Sequence, residues 1–290
     1  MQQLFGIFIV LACVFGGFMF MGGDLGKLWQ PVELLIIVGA AVGALVLGNP
    51  RHVLVEMGKQ LRKVMTLPKR TANKEFQRQQ LLVMYELLNI GRDLKQLDNH
   101  VERPHESPLF QRYPMVLADP ELLSFIVDNF RLMAMGRISA HELESVLEQE
   151  LVAIHEDQEQ PARSLQKISE AMPGFGIVAA VLGVVMAMNG LSDGASAAEL
   201  AEKVAASMIG TFIGIFFCYG VLDPLSNLIR QVMKAEMSDL ECVKVVLVTF
   251  AAGKPPLLAI DAGRRLMQLT NKPSFVQLEG WIGQLDRGRV

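Results

Sequence analysis

The sequence predicts an all-α, polytopic membrane protein with four transmembrane helices and a helical cytoplasmic domain. Hydrophobic residues make up 51% of the 290-residue chain, above the roughly 45 to 50% of an ordinary soluble domain. The excess is confined to four long windows that lack charge, whereas the rest of the chain is as charged as a cytosolic helical protein. This uneven distribution is typical of a membrane protein with a large soluble part.

The first two windows form a predicted transmembrane hairpin within residues 1–49. The first window spans about 4–21, and its length of roughly 27 Å is close to the thickness of the hydrocarbon core. No basic segment precedes it and no small-residue cleavage site follows it, so we expect a retained helix rather than a signal peptide. The second window, about 31–48, opens with Pro31 and Glu33, which suit a helix N-terminus.

The third and fourth windows form a second predicted hairpin within residues 171–224, with spans of about 171–191 and 204–222. Lysine and arginine near membrane ends indicate the cytoplasmic side. Six of them follow the second window: Arg51, Lys59, Arg62, Lys63, Lys69 and Arg70. We therefore expect both termini in the cytoplasm of a multi-pass membrane protein.

Two segments are predicted to be cytoplasmic and helical, residues 50–170 and the tail 225–290. Apolar residues recur in them at helical spacing, and strand-like alternation is hard to find. Pro114 and Pro120 mark turns, and Ser139 with Glu142 forms a capping pattern that opens the next helix. The tail is predicted to run as one amphipathic helix to about Phe250, followed by two shorter helical pieces.

The four windows contain no Asp, Glu, Lys, Arg or His in their interiors, although an intramembrane ionisable group is the usual mark of a proton relay. If the chain conducts ions, either a partner helix supplies the ionisable group, or backbone and hydroxyl groups coordinate the ion. The alternative is a membrane scaffold that conducts nothing.

Other function classes fit the sequence poorly. The net charge of −3 gives no basic surface for nucleic acid. The five histidines lie outside the windows without paired ligand spacing, and the chain has no Gly-rich phosphate loop. We therefore predict no enzyme activity, no metal site and no cofactor.

Small and polar residues inside the windows have two interpretations each. Small residues at three- and four-residue spacing let helices approach closely, either within one hairpin or between subunits. They are Gly39 and Gly43 in the second window, Gly176, Ala180 and Gly183 in the third, and Gly210 and Gly214 in the fourth. The Thr211 hydroxyl either bonds its own helix or faces a partner's carboxylate. Pro173 and Pro224 weaken the cytoplasmic ends of the third and fourth helices, as structural helix ends or as hinges.

Several segments together resemble the MotA family of flagellar stator subunits, within the MotA/TolQ/ExbB superfamily. The two strongest are PGFGIVAAVLGVV in the third window and MIGTFIGIFFCYG in the fourth. The others are GGFMFMGGDLGKLWQPVELLIIVGA, FQRYPMVLADPELLSFIVDNFRL, CVKVVLVTFAAGKPP and NKPSFVQLE. The resemblance covers nearly the whole chain, and the joint match is specific where no single string would be.

The resemblance implies a homo-oligomeric ring in the bacterial inner membrane, thought to be a homopentamer, around two copies of a MotB-like, single-span, peptidoglycan-binding partner whose membrane helix carries an essential Asp. The complex would conduct protons and turn ion flow into torque on the rotor protein FliG. Carried over by motif, Thr211, Ala180 and Pro173 would line the ion path, and Pro173 and Pro224 would be the coupling hinges. Membrane lipid is the remaining expected partner.

The same resemblance implies charged residues that face the rotor. Arg92 in NIGRDL and Asp98 in QLDNHVERP look like the family's arginine and acid. The segment between them is about two residues shorter than in the family pattern, and the acid is Asp rather than Glu. Glu150 in LEQELVA matches a further acidic position, and a solvated helix face explains all three residues about as well.

Two related functions compete with a proton-driven stator. One is a sodium-driven stator of the same architecture, because a hydroxyl and backbone carbonyls could serve Na+ as well as H+. The other is an ExbB- or TolQ-like energy-transducing ring. Those proteins have three membrane helices and an outside N-terminus, so the N-terminal hairpin predicted here favours the MotA family.

Overall fold

A computed structural model describes residues 2–66, 73–91, 94–135, 138–192 and 195–287. All regular elements in these ranges are helical, which confirms the predicted all-α class. The thirteen α-helices are α1 (Gln2–Phe20), α2 (Pro31–Gly48), α3 (Arg51–Thr66), α4 (Lys74–Ile90), α5 (Leu94–Glu102), α6 (Pro108–Gln111), α7 (Pro114–Leu117), α8 (Pro120–Ala134), α9 (Ala140–Ser192), α10 (Ala197–Phe217), α11 (Asp223–Ala251), α12 (Pro256–Arg264) and α13 (Phe275–Arg287). A 3₁₀ turn, Leu25–Leu28, precedes α2, and a π-turn, Cys218–Leu222, joins α10 to α11.

The chain divides into two compact units. Unit 1 consists of Met1–Met65 and Glu159–Arg230, and unit 2 consists of Thr66–Gln158 and Gln231–Val290. The chain therefore passes from one unit to the other three times, twice within the long helices α9 and α11. This division reflects contacts between residues, whereas the predicted membrane and cytoplasmic segments reflect hydropathy along the chain. The boundaries of those predicted segments therefore stay predictions.

Unit 1 contains the apolar helices. Three stretches are long and apolar enough to cross a membrane, Leu25–Gly48, Ala140–Gly190 and Ala197–Ala251, and α1 adds a shorter apolar stretch, Phe5–Phe20. The first of the predicted spans corresponds to this shorter stretch. Aromatic rings link α1 to α10, since the Phe15 ring lies 5.3 Å from that of Phe216 in an edge arrangement.

Two predicted membrane-end prolines lie inside longer helices than the hydropathy windows indicated. Pro173 is in the interior of α9, which also contains Pro161 and runs for 53 residues. The fourth window continues through the π-turn directly into α11, so no loop precedes Pro224. Hydropathy locates where a helix is apolar, but backbone hydrogen bonding decides where it ends, and here the helices continue past the apolar windows.

Unit 2 is built around one large hydrophobic core. Its largest fully buried side chains include Leu87, Phe110, Phe130 and Leu143, which come from α4, α6, α8 and α9. The helical spacing of apolar residues in the sequence placed them on one face of each helix. The part of α11 beyond residue 230, together with α12 and α13, completes this core.

Caps begin the helices where the sequence predicts them. The Asp119 carboxylate accepts a hydrogen bond of 3.1 Å from the Leu122 amide, and Pro120 occupies the first turn of α8. At the start of α9 the Glu142 amide donates to the Ser139 hydroxyl, and the Ser139 amide donates to the Glu142 carboxylate. This reciprocal pair confirms the predicted capping box. The Ser139 hydroxyl also donates a 2.7 Å hydrogen bond to the Glu142 carboxylate, and this bond and the one from the Ser139 amide lower the pKa of Glu142 below its ordinary value.

Candidate functional site

The candidate site is the seam between α9 and α10 in unit 1, where two helix backbones touch. A Cβ atom added to Gly176 would lie 2.8 Å from the Gly210 carbonyl oxygen, and one added to Gly214 would lie 2.6 Å from the Met172 carbonyl oxygen. Both positions are too close for any side chain without moving backbone. Glycine is therefore required for the two helices to approach to this distance.

The seam extends along both helices. A Cβ atom on Gly183 would lie 2.5 Å from the Ser207 Cβ atom. Ser207 is buried, and its hydroxyl donates a 2.8 Å hydrogen bond to the Val204 carbonyl of its own helix. The spacing of small residues in the third and fourth windows thus serves packing within this hairpin.

The glycines of α2 are in a different situation. Within the described residues, no heavy atom of another element lies within 4 Å of a Cβ atom built on Gly39 or Gly43. Packing of α2 against α10 instead uses larger side chains, including the buried Ile37. The same sequence spacing therefore accompanies close backbone contact in the second hairpin but not at Gly39 and Gly43 in the first.

The predicted ion-path residues Ala180 and Thr211 both lie at this seam. The Ala180 nitrogen lies 3.5 Å from a Cβ atom built on Gly210, and the Thr211 Cα atom lies 3.2 Å from one built on Gly176. Both residues are half-buried. Within the part of the chain that the structure describes, the Thr211 hydroxyl makes no hydrogen bond, unlike that of Ser207. The structure places each of these residues at the seam beside a glycine of the facing helix, and their role in ion conduction stays a prediction.

Of the two predicted hinge prolines, Pro224 follows irregular backbone, whereas Pro173 lies within the continuous helix α9. Pro173 is half-buried within α9, and Pro224 is exposed in the first turn of α11. Directly before Pro224 the chain forms the π-turn, in which the Asp223 amide donates to the Cys218 carbonyl. Proline has no N–H and clashes with the carbonyl four residues earlier, so a widened turn is the expected local response.

Buried serines near these prolines were missed by the sequence reasoning. The Ser169 hydroxyl donates to the Cys218 carbonyl at 3.0 Å, and the Ser226 hydroxyl donates to the Ala162 carbonyl at 2.9 Å. Both serines are 1% exposed. Small polar residues recur just outside the apolar windows, and this pattern could have indicated the two serines. A serine on an amphipathic helix is usually solvated, however, so the pattern does not by itself predict a buried serine.

The residues predicted to face the rotor lie in unit 2 or outside the described residues. Asp98 is exposed on α5. Glu150 is half-buried on α9 and accepts a 3.3 Å hydrogen bond from the Asn129 side-chain amide of α8. Arg92 lies outside the described residues. Glu150 therefore has a structural partner, whereas Asp98 presents its carboxylate to solvent.

Unit 2 also contains a buried carboxylate that the sequence did not single out. Glu86 is fully buried on α4, where it accepts hydrogen bonds from the Arg112 guanidinium and the Tyr113 hydroxyl. A single acid within an apolar helical segment was the available signal. Because both carboxylate oxygens are bonded within unit 2, this group serves the core rather than a reaction.

Within the described residues, no group of three or more His, Cys, Asp or Glu side chains could bind a metal ion. The four apolar windows also have no Asp, Glu, Lys, Arg or His in their interiors. The seam consequently offers glycine backbone, Ala180 and one unpaired hydroxyl. These groups can adjoin a path for an ion, but they cannot take up a proton at neutral pH.

Comparison with known proteins defines the class first. Residues 122–242 match the model of the MotA/TolQ/ExbB proton channel family. Residues 4–94 match the model of the motility protein A N-terminal region. Among solved structures, the flagellar MotAB stator complex of Bacillus subtilis superposes with a TM-score of 0.71 at 19% identity and covers 93% of this chain and 98% of that chain. At this identity the superposition establishes the fold alone.

Two curated relatives then specify the family. The chain is 50% identical to chemotaxis protein LafT of Vibrio parahaemolyticus over 98% of this chain and 99% of that protein. It is 38% identical to motility protein A of Escherichia coli over 96% of this chain and 94% of that protein. The chain therefore belongs to the motility protein A family. The family resemblance found in the sequence and the stator function that it implies are confirmed, and the relatives do not specifically favour the sodium-driven alternative.

Proposed function

We propose that the chain is the ring-forming subunit of a proton-driven flagellar stator in the bacterial inner membrane. In this proposal it crosses the membrane four times and has both termini in the cytoplasm. The proposed spans are residues 4–21, 31–48, 171–191 and 204–222. The basic residues that follow α2 support the orientation, since such residues concentrate on the cytoplasmic side.

The observation that carries the proposal is the unpaired Thr211 hydroxyl at a seam whose two apolar windows, residues 171–191 and 204–222, contain no Asp, Glu, Lys, Arg or His. A proton needs a group that can bind and release it, so a partner must supply that group. The proposed partner is a MotB-like, single-span, peptidoglycan-binding subunit with a membrane Asp. Thr211, Ala180 and Pro173 would border the path beside this Asp, and the Thr211 hydroxyl would donate a hydrogen bond to the unprotonated carboxylate.

Protonation of that Asp would change what Thr211 bonds and so release the partner helix. The free energy available per proton is about 2.3 kcal/mol for each 100 mV of membrane potential. A pH gradient adds about 1.4 kcal/mol per unit. These amounts suffice to bias small rotations between near-equivalent ring states, with Pro173 and Pro224 as the points where the helices yield.

Copies of the chain would form a closed homopentameric ring, because such a ring offers several equivalent positions to the partner helices at its centre. Torque would pass to FliG through exposed charges of the cytoplasmic part. Asp98 is exposed and so suits this role, with Arg92 and Glu150 as the other proposed members of the interface. The chain would act without a cofactor and without enzymatic chemistry, since the transported H+ is its only substrate.

A threonine series tests this function. The stator with Thr211→Val keeps the side-chain shape but loses the hydroxyl, whereas Thr211→Ser keeps the hydroxyl. We expect Thr211→Val to lower proton flux at least about tenfold at equal assembly, because a hydrogen bond to a charged group contributes about 1.5–3 kcal/mol. Flux is measured in vesicles with a pH-sensitive dye, and Thr211→Ser should stay within about threefold of the wild type.

Swimming speed with each gradient collapsed separately identifies the ion. Loss of motility with a protonophore alone supports the proposed proton-driven stator. Loss on sodium removal alone would overturn the choice of ion. An assembled Thr211→Val complex with unchanged flux would refute the proposed place of Thr211 in the path.

A further inference from the structure

The two hinge prolines each disturb the hydrogen bonding of the preceding turn. Pro173 has no N–H to donate, so the Ser169 carbonyl loses its usual partner four residues along α9. Pro224 has the same effect on the Gly220 carbonyl, and the chain responds with the π-turn Cys218–Leu222. The weakened turn of α9 and the π-turn are thus two points of reduced backbone bonding on neighbouring segments of unit 1.

One side chain bridges these two points. The Ser169 hydroxyl donates to the Cys218 carbonyl at 3.0 Å and lies 3.6 Å from the Cys218 sulfur. Ser169 is 1% exposed and Cys218 is 3% exposed. The Cys218 carbonyl also accepts the Asp223 amide, so both of its lone pairs are in use.

The bonded groups are those that a hinge motion would move. Pro173 has no N–H to donate to the Ser169 carbonyl, so this carbonyl lacks its usual helical donor. Cys218 is the first residue of the π-turn before Pro224. A bond between these residues makes bending at one hinge change the geometry at the other. Other buried bonds between the same segments, such as that from Ser226 to Ala162, do not involve either irregular turn.

We propose that Ser169 is a positioning residue that couples the Pro173 and Pro224 hinges, so that both helices yield together when a proton passes. The inference rests on the proposed stator function. Serine in a helix can also bond a carbonyl three or four residues back in its own helix. The hydroxyl therefore has a second acceptor in reach when the bond to Cys218 opens, and the bond can form and break once per step without leaving a buried donor unpaired.

The test compares Ser169→Ala with Ser226→Ala in the assembled complex with its partner subunit. Both variants remove one equally buried hydroxyl that joins the same segments, but only Ser169 joins the π-turn to the turn of α9 that Pro173 deprives of a donor. Proton flux is measured in vesicles, and torque per stator unit is measured on tethered cells at equal stator number. We expect Ser169→Ala to keep flux within about twofold while torque per unit falls about fivefold or more, and Ser226→Ala to change both quantities equally.

A double substitution tests whether Ser169 acts through the π-turn. In a Pro224→Ala background that retains motility, the additional Ser169→Ala change should have less than half of its effect on torque. Hydrogen exchange of the segment Cys218–Leu222 in nanodiscs should rise with Ser169→Ala and not with Ser226→Ala. If Pro224→Ala abolishes motility, this exchange comparison alone decides between coupling and simple packing.

The proposal is wrong if Ser169→Ala lowers flux and torque in the same proportion, or if it behaves like Ser226→Ala in exchange. Failure of the proposed function is distinguishable, because the wild-type complex would then show neither proton flux nor torque. Ser169→Thr retains a hydroxyl and should recover at least half of the torque that Ser169→Ala loses. A folded, assembled Ser169→Thr complex without such recovery would also count against the role of the hydroxyl.

Discussion

The glycine seam of unit 1 and the core of unit 2 solve the packing of helices in opposite ways. At the seam, the Cβ positions of Gly176 and Gly214 are within 3 Å of backbone oxygens of the neighbouring helix. In unit 2, side chains as large as Phe110 and Phe130 are fully buried between helices. One region is packed by removing side chains and the other by filling space with them.

The proposed positions of unit 1 in the membrane and of unit 2 in water would account for this difference. In water, burying apolar area stabilises a fold by roughly 25 cal/mol per Å², so large side chains are favoured in a core. In a bilayer the lipid is as apolar as leucine, so close van der Waals contact between backbones replaces that driving force. We therefore expect unit 2 to be sensitive to removed volume and the seam to be sensitive to added volume.

The largest expected effect is a cavity in the core of unit 2. Leu87 is fully buried, and Leu87→Ala should lower the free energy of unfolding of this unit by about 2–5 kcal/mol. Leu269→Ala is the matched control, since Leu269 is 89% exposed. Hydrogen exchange of α4 in the purified complex measures the change. Equal exchange in the two variants would contradict the idea that volume in this core limits stability.

An added methyl group tests the seam. Gly176→Ala should weaken association of α9 with α10 by about 1–3 kcal/mol, because the new Cβ atom meets a backbone oxygen that cannot move aside. Assembly with the partner subunit and swimming speed should therefore both fall, on the order of tenfold. Both are measured by co-purification and in cells that lack the native subunit.

Gly174→Ala is the control for the seam, two residues away on the same helix. Within the described residues, nothing lies within 4 Å of its added Cβ atom. Alanine also has a higher helix propensity than glycine by about 1 kcal/mol, so this variant should be neutral or slightly stabilised. The seam model is wrong if the two substitutions have the same effect.

The smallest expected effect concerns the ion pairs that Asp261 forms with two arginines in unit 2. The Asp261 carboxylate accepts hydrogen bonds from Arg264 at 2.6 and 2.7 Å and from Arg265 at 2.9 and 3.0 Å. Burial raises the pKa of Asp261, but the bonds and charges of the two arginines outweigh it and lower the pKa below its ordinary value. A lowered folded-state pKa means that the stabilisation is present above about pH 4 and is lost as the pH falls through the folded pKa.

Asp261→Asn should therefore reduce protection of α12 by about 1 kcal/mol at pH 7, a modest amount because Arg265 is largely in water. The difference from the wild type should vanish as the pH falls through the folded pKa. Hydrogen exchange against pH measures both expectations, and Glu279→Gln on the exposed side of α13 is the control. A difference that persists at low pH would show that charge at Asp261 is not the source.

The elements that the sequence predicted well are those whose signals are local. The capping pair Ser139 and Glu142 and the proline at the start of α8 act within a few residues, so their outcome depends little on distant contacts. The apolar windows are equally direct, since mean hydropathy is a sum over adjacent residues. The family resemblance added the stator function, which no single local pattern would have established.

The places where the prediction was incomplete depend on contacts between segments far apart in the chain. Whether Gly176 or Gly39 meets another helix could not be read from spacing, because the two patterns are alike. The bond from Ser169 to Cys218 joins residues 49 positions apart. The hydrogen-bond partners of Glu86, Arg112 and Tyr113, likewise lie 26 and 27 residues further along the chain.

The sequence by itself determined the helical class, the apolar windows, the absence of an ionisable group inside them and the family. These properties are sums or short patterns along the chain, and folding does not change them. Only the tertiary structure decided which glycines form the seam, that Thr211 and Ala180 both lie along it, and that Pro173 and Pro224 lie within helical segments that continue past the apolar windows. Those outcomes depend on which backbones come within contact distance, and packing between separate segments fixes that distance.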